Sequence, residues 1–420
     1  MLVFRLGSSP DRRTAVELSV HRDCIPLVSR FRLTPTPEQE VMLLGQCAHA
    51  RYVWNVALEQ WSMWSVGRRC SPPRFVEQSR QLTEARADNA WLRAGSQTVQ
   101  QQALRDFDQA VANFFGGTHQ RPTWRKAGIH EGFRIVGPQA QRVEKLNHRW
   151  ARVLVPKVGW VRFRLSRPLP DAKSYRVTRD RSGRWHIAFA AIPTPIPGPG
   201  TGEVVGIDRG VTVSAALSTG EMLKVPIMTA GEKVRLRCLQ KRLARARKGS
   251  NRRAKTKLAI ARLRAREADR RRNWIEETST DLARRFDVIR VEDLNITNMT
   301  RSSKGTVDSP GRNVRQKSRL NRSILANGWG ALVERLEQKA PGRVKRICPA
   351  YTSQTCSRCG TRDKEARESQ AVFRCRSCGH AANADVNAAI NIAAGRAVNA
   401  QGATAVLVAE NCEPQLATSA

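Results

Sequence analysis

The 420-residue chain holds 73 Lys and Arg against 36 Asp and Glu, a formal net charge of +37. A globular chain this basic repels itself unless a polyanion neutralises it, so a self-contained neutral fold is excluded; nucleic acid is the leading polyanion, an anionic membrane surface the second. No apolar run reaches the roughly 18 residues of a transmembrane helix, and the N-terminal stretch with Arg5, Asp11, Arg12, Arg13, Glu17, His21 and Arg22 lacks the apolar core of a secretory signal, so the expected location is the cytoplasm, where thiols stay reduced.

The length suits two or three domains, each with its own core. Residues 1–27 form a variable extension without a period. Val28 to Leu33 alternates Arg30 and Arg32 with apolar residues and predicts a strand. Thr36-Pro37-Glu38-Gln39 predicts a helix start, with Thr36 as cap, Pro37 at the first position and Gln39 closing a capping box. Helical composition then continues to about residue 116, broken at Ser71-Pro72-Pro73. Within it Thr98 to Phe115 places Leu104, Phe107, Ala110, Val111 and Phe114 on one face. Strand patterns follow between 134 and 192, in Arg152 to Val155, Trp160 to Arg164, Tyr175 to Thr178 and Trp185 to Phe189, with a hairpin turn at Ser182-Gly183. A small barrel or sandwich is predicted there, and its interleaved arginines and aromatics suit a nucleic-acid face.

Residues 193–202, Pro-Thr-Pro-Ile-Pro-Gly-Pro-Gly-Thr-Gly, form neither helix nor central strand and read as a linker. A new domain starts at Glu203. Residues 231–286 predict two long helices broken near Gly249-Ser250-Asn251. Residues 231–273 hold 18 Lys or Arg against 3 Asp or Glu. Like charges at helical spacing destabilise a bare helix, so a phosphate backbone alongside is the expected partner. The segment 398–420 shows no clear period.

Of ten cysteines, Cys24, Cys47, Cys70, Cys238, Cys348 and Cys412 stand singly and read as unpaired thiols or small core residues. Cys356-Ser357-Arg358-Cys359 and Cys375-Arg376-Ser377-Cys378 form two Cys-x-x-Cys knuckles. Their spacing predicts one structural Zn²⁺ held by four thiolates, with no open position for chemistry. Gly360 and Gly379 each follow a second cysteine, where backbone freedom helps the turn. The neighbouring His380 is not needed as a ligand.

Three carboxylates occupy unusual settings. Asp208 interrupts the apolar strand pattern Val204 to Val211, and an acid there is costly unless something cationic meets it. Glu292 ends a second strand pattern, Val288 to Leu294. Asp385 sits where Asn383 to Ile392 opens a helix; alone it reads as a helix N-terminal acid. Together, two strand-borne acids and one helix-borne acid suit a two-metal centre. Mg²⁺ or Mn²⁺ takes oxygen ligands, and two ions about 4 Å apart activate water and steady the leaving oxygen of a phosphodiester.

These residues resemble the TnpB (OrfB) family of transposon-encoded RNA-guided DNA endonucleases, related to type V CRISPR effectors. The resemblance spans about residues 28–396. It rests on Phe31 to Gln39, Arg51-Tyr52-Val53-Trp54-Asn55, Gln101 to Leu104 with Phe114-Phe115, and Gly206-Ile207-Asp208-Arg209-Gly210. The remaining blocks are Val291-Glu292-Asp293-Leu294-Asn295, Tyr351 to Gly360, and Asp385 to Asn391. It implies a multidomain α+β and α/β chain. A wedge-type β-barrel (28–36 and 134–192) would carry a helical recognition lobe (37–133). A RuvC-like, RNase H-type nuclease domain (203–352 and 381–397) would hold an inserted zinc ribbon (353–380). It further implies Asp208, Glu292 and Asp385 as the catalytic triad, guide RNA from the transposon end and target DNA as partners, and association with the prokaryotic nucleoid. Where the family has Asp-Arg-Asp before Val-Asn-Ala-Ala, this chain has Asn383-Ala384-Asp385. The alternative functions are a cleavage-impaired RNA-guided DNA-binding regulator and a transposase acting in strand transfer.

Overall fold

The computed structural model describes residues 27–64, 72–191 and 194–395. The expected extension (save Leu27), the expected tail, Cys24, Cys70 and Cys412 lie outside the described residues.

The first half begins with β1 (Leu27–Leu33) and α1 (Pro37–Ser62). The predicted capping box is present: Thr36 Oγ1 accepts from the Gln39 N–H at 3.3 Å, and Gln39 Oε1 accepts from the Thr36 N–H at 3.1 Å. Helices α2 (Phe75–Asp88), α3 (Ala90–Ala94) and α4 (Gln97–Phe115) follow. Next come β2 (Gly132–Val136), β3 (Val143–Lys145), β4 (Trp150–Val155), β5 (Gly159–Arg164), β6 (Ser174–Arg179) and β7 (Trp185–Ala191). They build one antiparallel sheet in the order β2-β6-β7-β1-β5-β4-β3, so β1 returns from the chain start to its centre. Of the predicted barrel or sandwich, the structure shows the barrel in a coarser form, as one curled sheet. The sheet curls into a half-barrel with β2 and β3 as its two ends. Helices supply the cover that a second sheet or a closed barrel would have given: Leu43, Val53, Trp54 and Phe107 share one core with Phe31, Phe133, Val153 and Phe163. Strand alternation sends Ala151, Val153, Val161 and Phe163 inward and leaves a cross-strand ladder of Arg and Trp outward on β4 and β5. There the Arg152 guanidinium lies 4.5 Å from the Trp160 ring centre.

The Pro/Gly segment is pinned rather than free. The Ile196 N–H donates to the Lys339 carbonyl at 2.7 Å, and the Gly200 and Gly202 N–H groups donate to the Asp287 carboxylate at 3.0 and 2.6 Å. Beyond it lie β8 (Val204–Asp208), β9 (Ala215–Leu217), β10 (Met222–Leu223), α5 (Ala230–Arg245), α6 (Asn251–Arg285) and β11 (Val288–Glu292). The chain continues through α7 (Ile296–Met299), α8 (Val314–Asn327), α9 (Trp329–Lys339), β12 (Val344–Ile347), β13 (Val372–Arg374), β14 (Ala381–Asn383) and α10 (Ala384–Ala394). The second sheet runs β10-β9-β8-β11-β12, with β8, β11 and β12 parallel and the β8 to β10 meander antiparallel. Parallel strands need cover on both faces. Val205, Ile207, Ile289 and Val291 bury one face against α6 and α9, through Ile275, Leu282, Leu332 and Leu336. Helix α10 covers the other face. Among the described residues no helix is long and apolar enough to cross a membrane.

Candidate active site

Residues of one strand alternate between faces. With Val205 and Ile207 committed to the α6/α9 side, Gly206 and Asp208 face α10. On β11, Ile289 and Val291 take the same commitment, so Arg290 and Glu292 also face α10; the Arg290 guanidinium accordingly donates to the Ala393 carbonyl of α10. The parallel register pairs Arg290 with Gly206 and Val291 with Ile207. One step further, Glu292 and Asp208 end their strands side by side on one face, at the spacing of neighbouring strands, about 4.8 Å.

Glycine at 206 brings in the third acid. A Cβ there would lie 2.1 Å from the Ala389 carbonyl oxygen and 2.3 Å from the Ala393 nitrogen, so β8 and α10 touch backbone to backbone. Asp385 lies one helical turn before Ala389, on the same helix face. Two strand residues and one helical turn cover similar lengths, about 6.6 and 5.4 Å, so an antiparallel α10 carries Asp385 to the level of Asp208. Substituting Gly206→Ala must therefore separate two backbones that have no side chain to yield. We expect a loss of about 1–3 kcal/mol or more, read as a lowered unfolding midpoint together with lost carboxylate-dependent activity. An unchanged midpoint would refute the close approach.

Burial pushes the Asp208 carboxyl up to about 7, and the Glu292 and Asp385 charges push the same way, against the Arg367 guanidinium. Burial also raises Glu292, opposed by its hydrogen bond from Thr352 and by Arg209. The buried Arg209 guanidinium donates to the Glu292 carbonyl and so holds the end of β11. Asp385 Oδ1 accepts from Arg367 at 3.0 Å, and Glu292 Oε1 accepts from Thr352 at 2.7 Å. Asp208 thus lies within electrostatic reach of both other acids, each of which has a protein partner. They do not crowd as tightly as thiolates around one ion: among the described residues, the four cysteines alone gather three or more ligand atoms all within 4.8 Å of one another.

Asn383 takes over the cap of α10. Its Oδ1 accepts from the Asp385 N–H at 3.0 Å and the Val386 N–H at 3.2 Å, as an Asp would, without the charge. Ala384 is fully buried beside Cys356, Phe373 and Cys375, which leaves no room for a long cationic side chain. Arg367 and Thr352 escaped sequence reasoning as site residues. Arg367 lies on a loop with no period or motif spacing to single it out, and Thr352 looked like part of the run leading into the first knuckle.

The knuckles converge as spaced. Cys356 and Cys378 Sγ lie 3.7 Å apart, and Cys359 and Cys375 Sγ 3.6 Å. A tetrahedron with Zn–S near 2.3 Å has S···S edges of about 3.8 Å, so the four sulfurs fit that ion. The Gly360 N–H donates to the Cys356 carbonyl and the Gly379 N–H to the Cys375 carbonyl, and both glycines adopt positive φ, 77° and 69°. His380 stays outside the thiol set, 3.5 Å from Ser357 Oγ.

The fold is similar to that of Cas12 effectors. It superposes on the protein of a solved "Cas12f1-sgRNA-target DNA complex" with a TM-score of 0.53 and 15% identity, covering 84% of this chain and 82% of that one. Family profiles match in three stretches: "Helix-turn-helix domain" of OrfB (residues 27–65), "Probable transposase" of OrfB (165–303) and "Cas12f1-like, TNB domain" (329–392). Within 27–64 the structure has one strand and one long helix. Two relatives match nearly end to end. "Putative RNA-guided DNA endonuclease InsQ" of Escherichia coli (strain K12) is 36% identical over 89% of this chain and 93% of its own. A "Putative RNA-guided DNA endonuclease" of Streptomyces pristinaespiralis is 32% identical over 89% and 90%. The chain belongs to the TnpB/OrfB family.

Proposed function

We propose that the protein is a transposon-associated RNA-guided DNA endonuclease that hydrolyses phosphodiesters at Asp208, Glu292 and Asp385. The observation that carries this reading is the pair of desolvated acids side by side at the ends of β8 and β11, under the first turn of the helix that bears the third. Such hard, mutually repelling oxygens are complemented by divalent cations, Mg²⁺ or Mn²⁺, and this arrangement suits two. When bound, the ions supply Lewis acidity, lowering the pKa of the attacking water and neutralising charge at the phosphate. The protein's own groups hold the acids apart and in place: Thr352 on Glu292, Arg367 on Asp385, Gly206 under α10.

In the family's terms the curled sheet and its helices are the wedge and recognition lobe, and the second sheet is the RuvC-like nuclease with the inserted zinc ribbon. The relatives' names and the related Cas12f1 assembly with RNA and DNA support a guide RNA and a DNA target. The surface charge supports it too. All three acids of the 231–273 stretch are already paired, Glu232 with Arg270, Glu267 with Arg264 and Asp269 with Arg272 and Arg184, so its excess of positive charge is uncompensated. Between α6 and the first sheet lies a cleft of about 740 Å³ whose lining sets Arg32, Arg184, Arg262 and Arg266 against Glu40 and Asp269. Affinity for nucleic acid should therefore fall by about 10³-fold or more between 50 and 200 mM salt, as for six or more neutralised phosphates. A flat salt profile in a filter-binding titration would contradict this basic path.

The decisive experiment sequences RNA that co-purifies with the protein, then offers that RNA, Mg²⁺ and a plasmid library carrying its complement beside randomised flanks. Cutting that requires both RNA and Mg²⁺ is the expected result. RNA-dependent binding without cutting would instead identify a regulator.

A further inference from the structure

We infer that Thr352 is a positioning residue for the Glu292 carboxylate, and that through it the zinc ribbon sets the geometry of the acidic centre. The inference rests on Glu292 belonging to that centre. Thr352 is buried, and its Oγ1 lies 2.7 Å from Glu292 Oε1 and 3.3 Å from the Pro349 carbonyl. A hydroxyl has one proton, and the nearer, charged acceptor takes it. Among the described residues Thr352 is the side chain that donates to this carboxylate. With Oε1 tied, rotation of the carboxylate plane breaks a charge-assisted bond, so Oε2 is presented in one direction.

Thr352 is itself fixed from the other elements of the centre. Its carbonyl accepts from Asn391 Nδ2 at 3.0 Å, and the same amide donates to the Thr355 carbonyl at 2.7 Å. Asn387 adds a bond to the Thr355 carbonyl at 2.8 Å and accepts from the Ser357 N–H at 2.9 Å. Both asparagines are buried on α10, the helix of Asp385. The preceding Tyr351 adopts φ 63°, a left-handed conformation that a bulky side chain occupies only when its surroundings enforce it. They do: Arg362 of the ribbon stacks on its ring, and its carbonyl accepts from the Gln354 and Thr355 N–H groups and from Thr355 Oγ1. Four residues after Thr352 comes Cys356. One short strap thus joins the β11 acid, the α10 helix and the first zinc ligand.

The test compares Thr352→Val, which keeps the shape and loses the hydroxyl, with Thr352→Ser, which keeps the hydroxyl and loses the methyl. Two readouts are taken on the full-length, zinc-loaded protein. One is Mn²⁺ affinity by electron paramagnetic resonance without nucleic acid; the other is single-turnover cleavage with guide RNA. Thr352→Val should weaken Mn²⁺ binding and slow cleavage by about 10–100-fold, with target affinity unchanged; Thr352→Ser should stay close to the parent. Packing alone predicts the reverse order, serine worse than valine, and that order, or a valine variant equal to the parent in both readouts, overturns the inference. Should the valine variant not fold, Thr352→Ser against Thr352→Ala makes the same comparison, and equal losses in both overturn it. Asp208→Ala runs alongside: if it still cuts, the assignment of the acidic centre has failed, not the role of Thr352.

Discussion

Replacing Asp208 by Ala or Asn is expected to abolish DNA cleavage, by at least about 10³-fold, while guide-RNA and target binding stay within error of the parent. Asp208 is central among the three acids: it feels the charges of both Glu292 and Asp385. Its loss removes ligand charge without disturbing the basic surfaces, which lie on other elements. The same substitution has an opposite effect on stability. The folded-state pKa of Asp208 is raised to about 7, above the unfolded carboxylate value. The folded chain therefore binds the extra proton between those two values, and its stability falls as pH rises through that window. Each tenfold change in proton affinity is worth about 1.4 kcal/mol, so this acid costs the Mg²⁺-free protein a few kcal/mol above pH 7. Asp208→Asn should melt at a higher temperature than the parent at pH 8 without Mg²⁺, with the gap closing toward pH 4. Adding Mg²⁺ should stabilise the parent more than the variant, because binding to the folded state alone raises stability. Equal melting of parent and variant at pH 8, or cutting by the variant, would each count against the desolvated acidic centre.

Removal of a metal held by the four thiolates is expected to have the second largest effect. The ribbon's own core is Cys356, Ala366, Phe373, Cys375 and Ala384, and two of these five are thiols. So small a core does not fold by apolar burial alone. Structural zinc contributes about 10–16 kcal/mol of binding free energy, which is folding free energy for the segment that holds it. A zinc chelator, or Cys375→Ser, should therefore unfold residues 353–380 and leave the two large cores intact. Arg367 and Gln370 belong to that segment, and they reach Asp385 and Thr212. Cleavage should fall at least about 100-fold although no acid has been touched. Limited proteolysis provides the check: new cuts confined to the ribbon, with far-ultraviolet circular dichroism changed by little. Full cleavage by a protein shown to hold no zinc would overturn the coupling.

How much of this was legible in the sequence depended on how local each feature is. The capping box at Thr36, the break between α5 and α6, the hairpin turn at Ser182-Gly183 and the Cys-x-x-Cys knuckles are set by neighbouring residues. Their chemistry is written in a few consecutive letters, and the structure has each of them. The apolar runs of β8 and β11 likewise announced buried strands carrying an acid. Non-local closure was not legible. Whether the first sheet closes depends on what covers its inner face, and α1 and α4 cover it. The linker's composition excluded helix and strand, yet Asp287 and Lys339, far along the chain, hold it in place.

The sequence by itself determined the partners' charge, the four thiolates and the three acids as candidates, because composition, spacing and an acid in an apolar strand are properties of the chain read in order. The tertiary structure alone decided that Asp208 feels the other two acids. Strand register puts Glu292 beside Asp208, and a missing Cβ at Gly206 lets α10 descend far enough to add Asp385. Arg367 and Thr352 became visible at the centre only once the ribbon was folded back onto it. Distances between residues remote in the chain arise from packing, and packing is fixed when all the faces are buried at once.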